Sequence, residues 1–287
     1  MSRIRRGWAL TKKSWGVLNS HRELARFPLY GAVATIPLAF VFLGPGLYFL
    51  DKDVLVGAIP LLVIGVYVLS VVGFYFSVGL AAAADMIFRG EQATVSDGLA
   101  VARSRFSQIC GWAAVSTTIS VLMGALENQG GIAGTIAARL VGMAWSLVTF
   151  LAVPVIAIEG AGPFETLKRS ASLFKSRWGQ QITGNIAIGG AIFFFGVLPS
   201  AALIAIGVLV WASASFAGAL LVVIGAIGLA IALLISKALS GIFGVALYRY
   251  ALDGEAVGGF SAEDMESAVK IKKGGRNAPP TATPGTV

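Results

Sequence analysis

The sequence has almost none of the residues from which metal and redox sites are usually built. It contains one cysteine, Cys110, and one histidine, His21, among 287 residues. These counts exclude an intramolecular disulfide, a thiol redox pair and the usual multi-Cys or multi-His metal sites. No Ser–His or paired-Asp arrangement lies in an apolar run, and no glycine-rich nucleotide loop follows a strand pattern. We therefore expect no enzymatic activity and no cofactor.

Charged residues are scarce as well, at 13% of the chain against about a quarter in soluble domains. Hydrophobic residues make up 56%, and the mean hydropathy is +0.82. The 22 Lys and Arg and 14 Asp and Glu are bunched into a few segments between long apolar stretches. This pattern indicates a membrane protein. The basic segments adjoin apolar runs, so topology explains them without a nucleic-acid partner.

Six apolar runs are long enough to cross a hydrocarbon core of about 30 Å, which needs about 20 residues of helix. The sequence therefore predicts an all-α polytopic bundle of six transmembrane helices, paired into three hairpins within residues 29–252. The predicted spans are Leu29–Leu50, Leu55–Phe88, Ile109–Leu126, Ile136–Ile158, Ile182–Val210 and Ala217–Tyr248.

The distribution of positive charge predicts the orientation of these spans. Of the 22 Lys and Arg residues, 19 fall in the two terminal segments and in the connections after the second and fourth spans. Because cytoplasmic loops retain positive charge, both termini are predicted to be cytoplasmic, in the inner membrane of a bacterial cell. The Pro- and Gly-rich tail, residues 274–287, is predicted to be disordered.

The cytoplasmic connections resemble one another. The second, fourth and sixth spans end near Gly90, Gly160 and Gly254, each beside an acidic residue, and a helix-start signal follows each exit. Those signals are Ser96-Asp97, Pro163 with Glu165, and Ser261 with Asp264. We predict three repeats, residues 4–88, 91–158 and 161–252, each an interfacial amphipathic helix followed by a hairpin. The first helix lies in the basic segment 1–28, and a cytoplasmic helix, 253–273, follows the last repeat.

The interfacial helices have two interpretations. In the clearest one, apolar residues recur every three or four positions from Phe164 to Trp178, and basic residues fill the remaining positions. The helices either anchor in anionic lipid or connect spans while packed on their own bundle, and both can hold together. The candidate lipid contacts are Trp8, Trp15, Arg103, Arg105, Lys168, Arg169, Lys175, Arg177 and Trp178.

The second and sixth runs are too long for a simple crossing, at about 51 and 48 Å of straight helix. We expect these helices to project past the inner face, where the amphipathic helices cover them as a cytoplasmic collar. A break near Gly79, or at Gly241 and Gly244, is the alternative. Small residues spaced four apart predict close helix packing of the even-numbered spans. They are Gly73, Ser77 and Ala81; Gly142 and Ser146; and Ser236, Ser240 and Gly244.

Of the charged residues within the predicted spans, Arg139 lies beside the second outer loop, and Asp85 and Lys237 are the candidate functional sites. Arg249 occupies a position in the third repeat nearly equivalent to that of Asp85, so the two are candidates for an ion pair. Ion pairing and extension of the lysine toward the surface explain these residues as well as transport does.

Two stretches carry a family resemblance. Residues 14–18 (SWGVL) with 23–28 (ELARFP), and residues 159–179 (EGAGPFETLKRSASLFKSRWG), resemble a family of uncharacterised bacterial six-span membrane proteins. The second stretch is more distantly similar to the membrane domain of glycerophosphodiester phosphodiesterases. The resemblance implies location and architecture but transfers no catalytic residue.

The favoured function is therefore a non-enzymatic, lipid-interacting scaffold or accessory subunit. A channel or transporter for a small solute or lipid is the alternative. The expected partners are anionic membrane lipids, with a second copy or another membrane protein as a further partner. A transporter needs a solvated, polar-lined cavity at mid-depth, whereas a scaffold needs a dry core.

Overall fold

The computed structural model describes residues 3–129, 134–135, 138, 141–142, 145–146, 149–178, 192–211 and 214–269. Within these residues all regular structure is helical, and no strand occurs in them. The α-helices are α1 Arg3–Ser20, α2 Arg26–Asp51, α3 Leu55–Phe88, α4 Val95–Ser104, α5 Phe106–Gln129, α6 Ala152–Glu159, α7 Pro163–Trp178, α8 Leu198–Trp211, α9 Ser215–Asp253 and α10 Ala262–Val269. A 3-10 turn, Arg22–Ala25, precedes α2, and a π-helical turn, Phe193–Val197, precedes α8.

Four helical stretches are long and apolar enough to cross a membrane. They are Arg22–Asp51, Leu55–Phe88, Phe106–Ala125 and Ser215–Asp253, and Phe195–Trp211 is a shorter apolar helix. The chain is thus a membrane-embedded helical protein. The predicted spans Ile136–Ile158 and Ile182–Val210 lie partly outside the described residues, as does the tail from 274 to 287. The count of six spans stays a prediction.

Several helix ends differ from the predicted ones. The basic segment 1–28 is not one helix, because α1 ends at Ser20 and a turn separates it from α2. The predicted helix 253–273 begins only at Ala262, because Gly254, with φ of +79°, ends α9 in the left-handed conformation that glycine adopts most easily. Helix α4 is capped by Thr94 rather than Ser96.

The connections after α3, α6 and α9 nevertheless share local geometry. Gly90, Gly160 and Gly254 all have positive φ, at +83°, +69° and +79°. Thr94 and Asp97 form a capping box, in which each backbone N–H donates to the other residue's side chain, and Ser261 with Asp264 forms another. The Thr94 hydroxyl and then the Thr94 backbone N–H, which both donate to the Asp97 carboxylate, hold the pKa of Asp97 below its ordinary value. The likeness is local, and the threefold repeat stays a prediction.

Helices α3 and α9 are continuous over 34 and 39 residues. The predicted alternative of a break near Gly79 or at Gly241 and Gly244 is wrong, because ordinary helix runs through all three positions. Straight helices of this length extend about 51 and 58 Å.

Each of these long helices has two halves with different surroundings. In α3, only Ala58 and Gly65 are buried before position 78, and every residue from 78 to 85 is buried. In α9, only Gly218, Gly225 and Ala232 are buried before position 238, and most residues from 238 to 251 are buried. That the collar stands past the inner face of the membrane stays a prediction, but the predicted covering layer of helices is present. It comprises α1, α4, α6, α7 and α10 around residues 78–88 of α3 and 238–253 of α9.

The remaining part of the structure is what we term the apolar belt. It consists of residues 55–77 of α3, residues 215–237 of α9 and residues 29–51 of α2. Its hairpins pack through small residues that the predicted stripes missed. A Cβ on Gly65 would lie 2.7 Å from Phe42 Cβ, and one on Gly225 would lie 2.8 Å from the Ser200 carbonyl oxygen. In the belt parts of α3 and α9, the buried small residues recur every seven positions, as Ala58 and Gly65, and as Gly218, Gly225 and Ala232. The prediction of close helix packing at Gly73 is wrong, because no atom lies within 4 Å of a Cβ placed there.

Candidate functional site

The last turns of α9 carry three consecutive polar side chains that contact three different elements. Tyr248, Arg249 and Tyr250 reach the ends of α6 and α3 and the helix α10, respectively. We term these residues and their partners the polar hub. Successive residues on a helix point about 100° apart, so one turn of α9 can join three neighbours.

Arg249 and Asp85 form the centre of the hub. Arg249 Nε donates to Asp85 Oδ1 at 2.7 Å, and a terminal guanidinium nitrogen donates to Oδ2 at 2.8 Å. Asp85 is 5% exposed, and Arg89 approaches Oδ2 at 3.3 Å from one turn further along α3. The predicted contact between Asp85 and Arg249 is present, and its bidentate geometry is the strong form of such a pair. It fastens α3 to α9.

A second group joins α6, α7 and α9 around Glu159. The buried Tyr248 hydroxyl donates to Glu159 Oε1 at 2.7 Å, and Arg169 Nε donates to the two carboxylate oxygens at 2.8 and 3.1 Å. The hydrogen bond to Glu159 raises the pKa of Arg169, with burial acting in the opposite direction. Gly160 ends α6 in the left-handed conformation, which allows α7 to turn back toward this carboxylate. No pairing of Glu159 is predicted from the sequence, although this residue stands in one of the glycine exit signatures.

The third contact set fastens α10 to the hub and to the N-terminal helix. The Tyr250 hydroxyl donates to Glu266 Oε1 at 3.4 Å, and Lys13 of α1 pairs with Asp264. Among the described residues, no group of three His, Cys, Asp or Glu side chains is placed to hold a metal ion. The hub's charges satisfy one another, so its chemistry is that of a structural junction between helices.

Lys237 lies away from the hub. It stands 12 residues before Arg249 on α9, about 18 Å along the axis. Its side chain is exposed and lines a groove of about 480 Å³ between α2, α3 and α9. Besides Lys237, the groove is lined by Pro28, Leu29, Gly31, Ala32, Val33, Thr35, Ile36, Gly73, Phe76, Ser77, Leu80, Ala230, Leu233 and Leu234.

A comparison with known families places this architecture. The model of a family of unknown function matches residues 56–259, about 70% of the chain, from the start of α3 to just beyond α9. The chain belongs to DUF6159. Both long helices and most of the polar hub of this DUF6159 protein lie inside the matched region. No curated protein and no solved structure matches the chain, and no match supports the more distant likeness to glycerophosphodiester phosphodiesterases.

The predicted lipid contacts divide into two groups. Arg103, Lys168 and Lys175 are exposed on the collar, and Trp15 is 46% exposed. By contrast, Arg169 is held by Glu159, and the Arg105 guanidinium lies against Gly160 with its Nε buried. The side chains of Trp8, Arg177 and Trp178 lie outside the described residues.

Helix α7 packs on the bundle over part of its length, and anchoring in lipid stays a prediction. Phe174 and Leu173 are 3% and 5% exposed in the protein core, whereas Phe164 is 70% exposed. The predicted apolar stripe therefore packs on the bundle at one end and leaves a free aromatic side chain at the other.

Proposed function

We propose that this DUF6159 protein is a six-span, non-enzymatic membrane component that interacts with anionic lipid, as a scaffold or accessory subunit. The observation that carries the proposal is the change in burial along α3 and α9. An exposed apolar belt is followed by a covered collar, and Arg103, Lys168 and Lys175 are exposed on the collar.

The dimensions of the belt support this placement. Leu29 to Asp51, Leu55 to Ser77 and Ser215 to Lys237 each span 22 residue steps, about 33 Å of helix. The hydrocarbon core is about 30 Å thick, so the belt matches it with a slight tilt. We infer that the collar stands outside the hydrocarbon, on the cytoplasmic face by the distribution of positive charge.

Charge on the collar supports a preference for anionic lipid. Arg103, Lys168 and Lys175 are exposed there and have no carboxylate partner among the described residues. A basic side chain near an anionic surface contributes about 1 kcal/mol of attraction. The three together favour binding to phosphatidylglycerol over phosphatidylcholine.

Thermal unfolding of the purified full chain in mild detergent tests the proposal. We expect added phosphatidylglycerol to raise the unfolding temperature by about 3 °C or more relative to phosphatidylcholine. The triple variant R103Q/K168Q/K175Q loses much of that difference, while K52Q, at the opposite end of α2, keeps it. Equal effects of the two lipids on the wild type would overturn the lipid-interacting role.

The transporter alternative has one observation in its favour, the groove that reaches Lys237. Its lining is mainly apolar, which suits a lipid chain better than a small polar solute. Efflux of trapped small anions and cations from proteoliposomes separates the two functions. We expect rates equal to those of protein-free vesicles, and a flux that Lys237→Met abolishes would replace the scaffold with a channel or transporter.

A further inference from the structure

We propose that the groove between α2, α3 and α9 is a binding site for one anionic phospholipid, whose phosphate contacts Lys237 and whose acyl chain lies along the groove. This inference rests on the membrane placement in the proposed function and gives it a specific ligand and site.

The first support is the position of Lys237 at the end of the belt. From Ser215 to Lys237 the helix rises about 33 Å, so the ammonium group lies near the level of lipid phosphates when the belt fills the hydrocarbon. Ser77 and Pro28, which line the same groove, mark that level on α3 and α2. Residue 238 then begins the buried stretch of α9, so the collar lies directly above the site.

The second support is charge. Lys237 is the one charged side chain among the groove's lining residues, and none of the described carboxylates pairs with it. By contrast, Arg249, Arg169 and Lys13 all have carboxylate partners. A charge at the membrane boundary needs a partner or water, and a phosphate at this depth supplies the opposite charge.

The chemistry of the remaining lining selects an acyl chain. Two hydroxyl groups lie in the groove, and each already donates to a carbonyl of its own helix. Thr35 Oγ1 donates to Gly31 at 2.5 Å, and Ser77 Oγ donates to Gly73 at 2.7 Å. The rest of the lining is apolar, and a volume of about 480 Å³ lies within the usual size range of ligand sites.

An independent observation concerns Gly73. A Cβ at this position would meet nothing within 4 Å, although small residues in membrane helices usually serve close packing. Here the missing side chain keeps the groove open. Leucine at position 73 would therefore place its Cβ in open space and extend from there into the groove.

Native mass spectrometry of the full chain, released from detergent containing phosphatidylglycerol or phosphatidylcholine, measures this site directly. We expect the wild type to retain one phosphatidylglycerol in preference to phosphatidylcholine. Lys237→Gln lowers that retention about fivefold, the loss expected for one basic group near an anionic surface. Lys237→Arg keeps it, and Gly73→Leu abolishes it.

Two matched controls isolate the groove. Lys168→Gln removes an exposed collar cation, and Gly124→Leu fills an open position on α5, which does not line the groove. Both retain the lipid. Inorganic phosphate at equal concentration leaves the bound lipid in place, because it lacks the acyl chain.

The outcomes separate this inference from the proposed function. Anionic lipid that stabilises the wild type but is retained equally by Lys237→Gln and Gly73→Leu overturns the groove site and leaves the lipid-interacting role intact. Displacement by inorganic phosphate identifies a phosphate site and overturns the lipid assignment. A wild type with no preference between the two lipids overturns both proposals.

Discussion

Two glycines allow the backbones of α3 and α4 to touch at the base of the collar. A Cβ on Gly98 would lie 2.5 Å from the Gly79 carbonyl oxygen and 2.6 Å from Phe27 Cζ. Phe27 is fully buried, so its ring has nowhere to move. Since backbone atoms cannot give way as side-chain tips do, any side chain at position 98 must separate the helices.

Gly98→Ala is therefore expected to destabilise the protein by about 2 kcal/mol, the usual cost of overpacking a filled core. Gly73→Ala is the matched control. It also places alanine in a helix but in open space, and it should be neutral or stabilising by up to about 1 kcal/mol. Unfolding curves of the two variants in the same detergent make the comparison, and equal effects would contradict the contact at Gly98.

Asp85 gives a second test at the scale of a residue. Asp85→Ala leaves Arg249 without its carboxylate in a largely covered site, and loss of one partner of such a pair costs about 3–5 kcal/mol. The double variant D85L/R249M removes both charges and should recover most of that loss. Denaturant unfolding of D85A and D85L/R249M measures the free energy of unfolding that each variant loses. If the double variant is at least as unstable as D85A, the pair contributes more than mutual neutralisation.

At the scale of elements, α10 and α1 pack together although they are far apart in sequence. Leu10 and Ser14 of α1 and Met265 of α10 are at most 1% exposed. Lys13 pairs with Asp264, which also accepts the Ser261 hydrogen bonds that begin α10. One carboxylate thus both caps α10 and fastens it to α1.

The pairing predicts a pH dependence. Burial acts to raise the pKa of Asp264, but hydrogen bonds from Lys13 and Ser261 outweigh it and bring the pKa below its ordinary value of 3.8. A carboxyl group whose pKa is lowered on folding stabilises the fold above its ordinary pKa, and this stability is lost as the pH falls through the lower, folded value. Asp264→Asn should therefore unfold at a lower temperature than the wild type at pH 6.

The difference between the two proteins should shrink steadily below about pH 3.8. Thermal unfolding at pH 6, 4 and 3 measures it. A difference that persists unchanged at pH 3 would mean that Asp264 acts through packing rather than through its charge.

Some of these contacts could be predicted from the sequence, because helix length and an uncompensated charge each require a neighbour. The excess length of α3 and α9 required a covering layer, and Asp85 required a counter-charge, so both the collar and Arg249 followed. The buried face of α1 did not follow. Trp15, a candidate lipid contact, is 46% exposed, whereas Leu10, Ser14 and Leu18, which the sequence did not single out, are buried.

Other contacts depend on tertiary structure that periodicity does not encode. Glu159 and Tyr248 are 89 residues apart, and only the packing of α6 beside α9 makes their hydrogen bond. Gly73 matched the pattern of a packing residue, but what distinguishes it is the absence of a neighbour. The small residues spaced seven apart are visible in the sequence, but a pattern of spacing by four does not contain them.

At the scale of the whole molecule, burial and charge divide the protein at the same level. Above Ser77 and Lys237 the helices are covered by protein, and below them apolar side chains face outward, including Leu220, Ile227 and Ile231. Hydrophobic belts of this kind are stable only in lipid, because in water they would form a large exposed apolar patch. The proposed function then places the whole collar on one side of the membrane.

Cysteine labelling tests this placement together with the count of six spans. In a Cys110→Ala background, single cysteines replace Lys12, Arg103, Lys168 and Glu263 on the collar, Lys52 at the far end of α2, and Ile227 in the belt. We expect a charged, membrane-impermeant thiol reagent to modify the four collar positions from the cytoplasmic side and position 52 from the opposite side, with position 227 unreactive. Comparing the labelling of each cysteine in sealed and in lysed membranes shows on which side of the membrane it lies. Positions 103 and 168 on opposite sides would mean an odd number of crossings between them, which would refute the six-span topology while leaving the collar geometry of α3 and α9 in place.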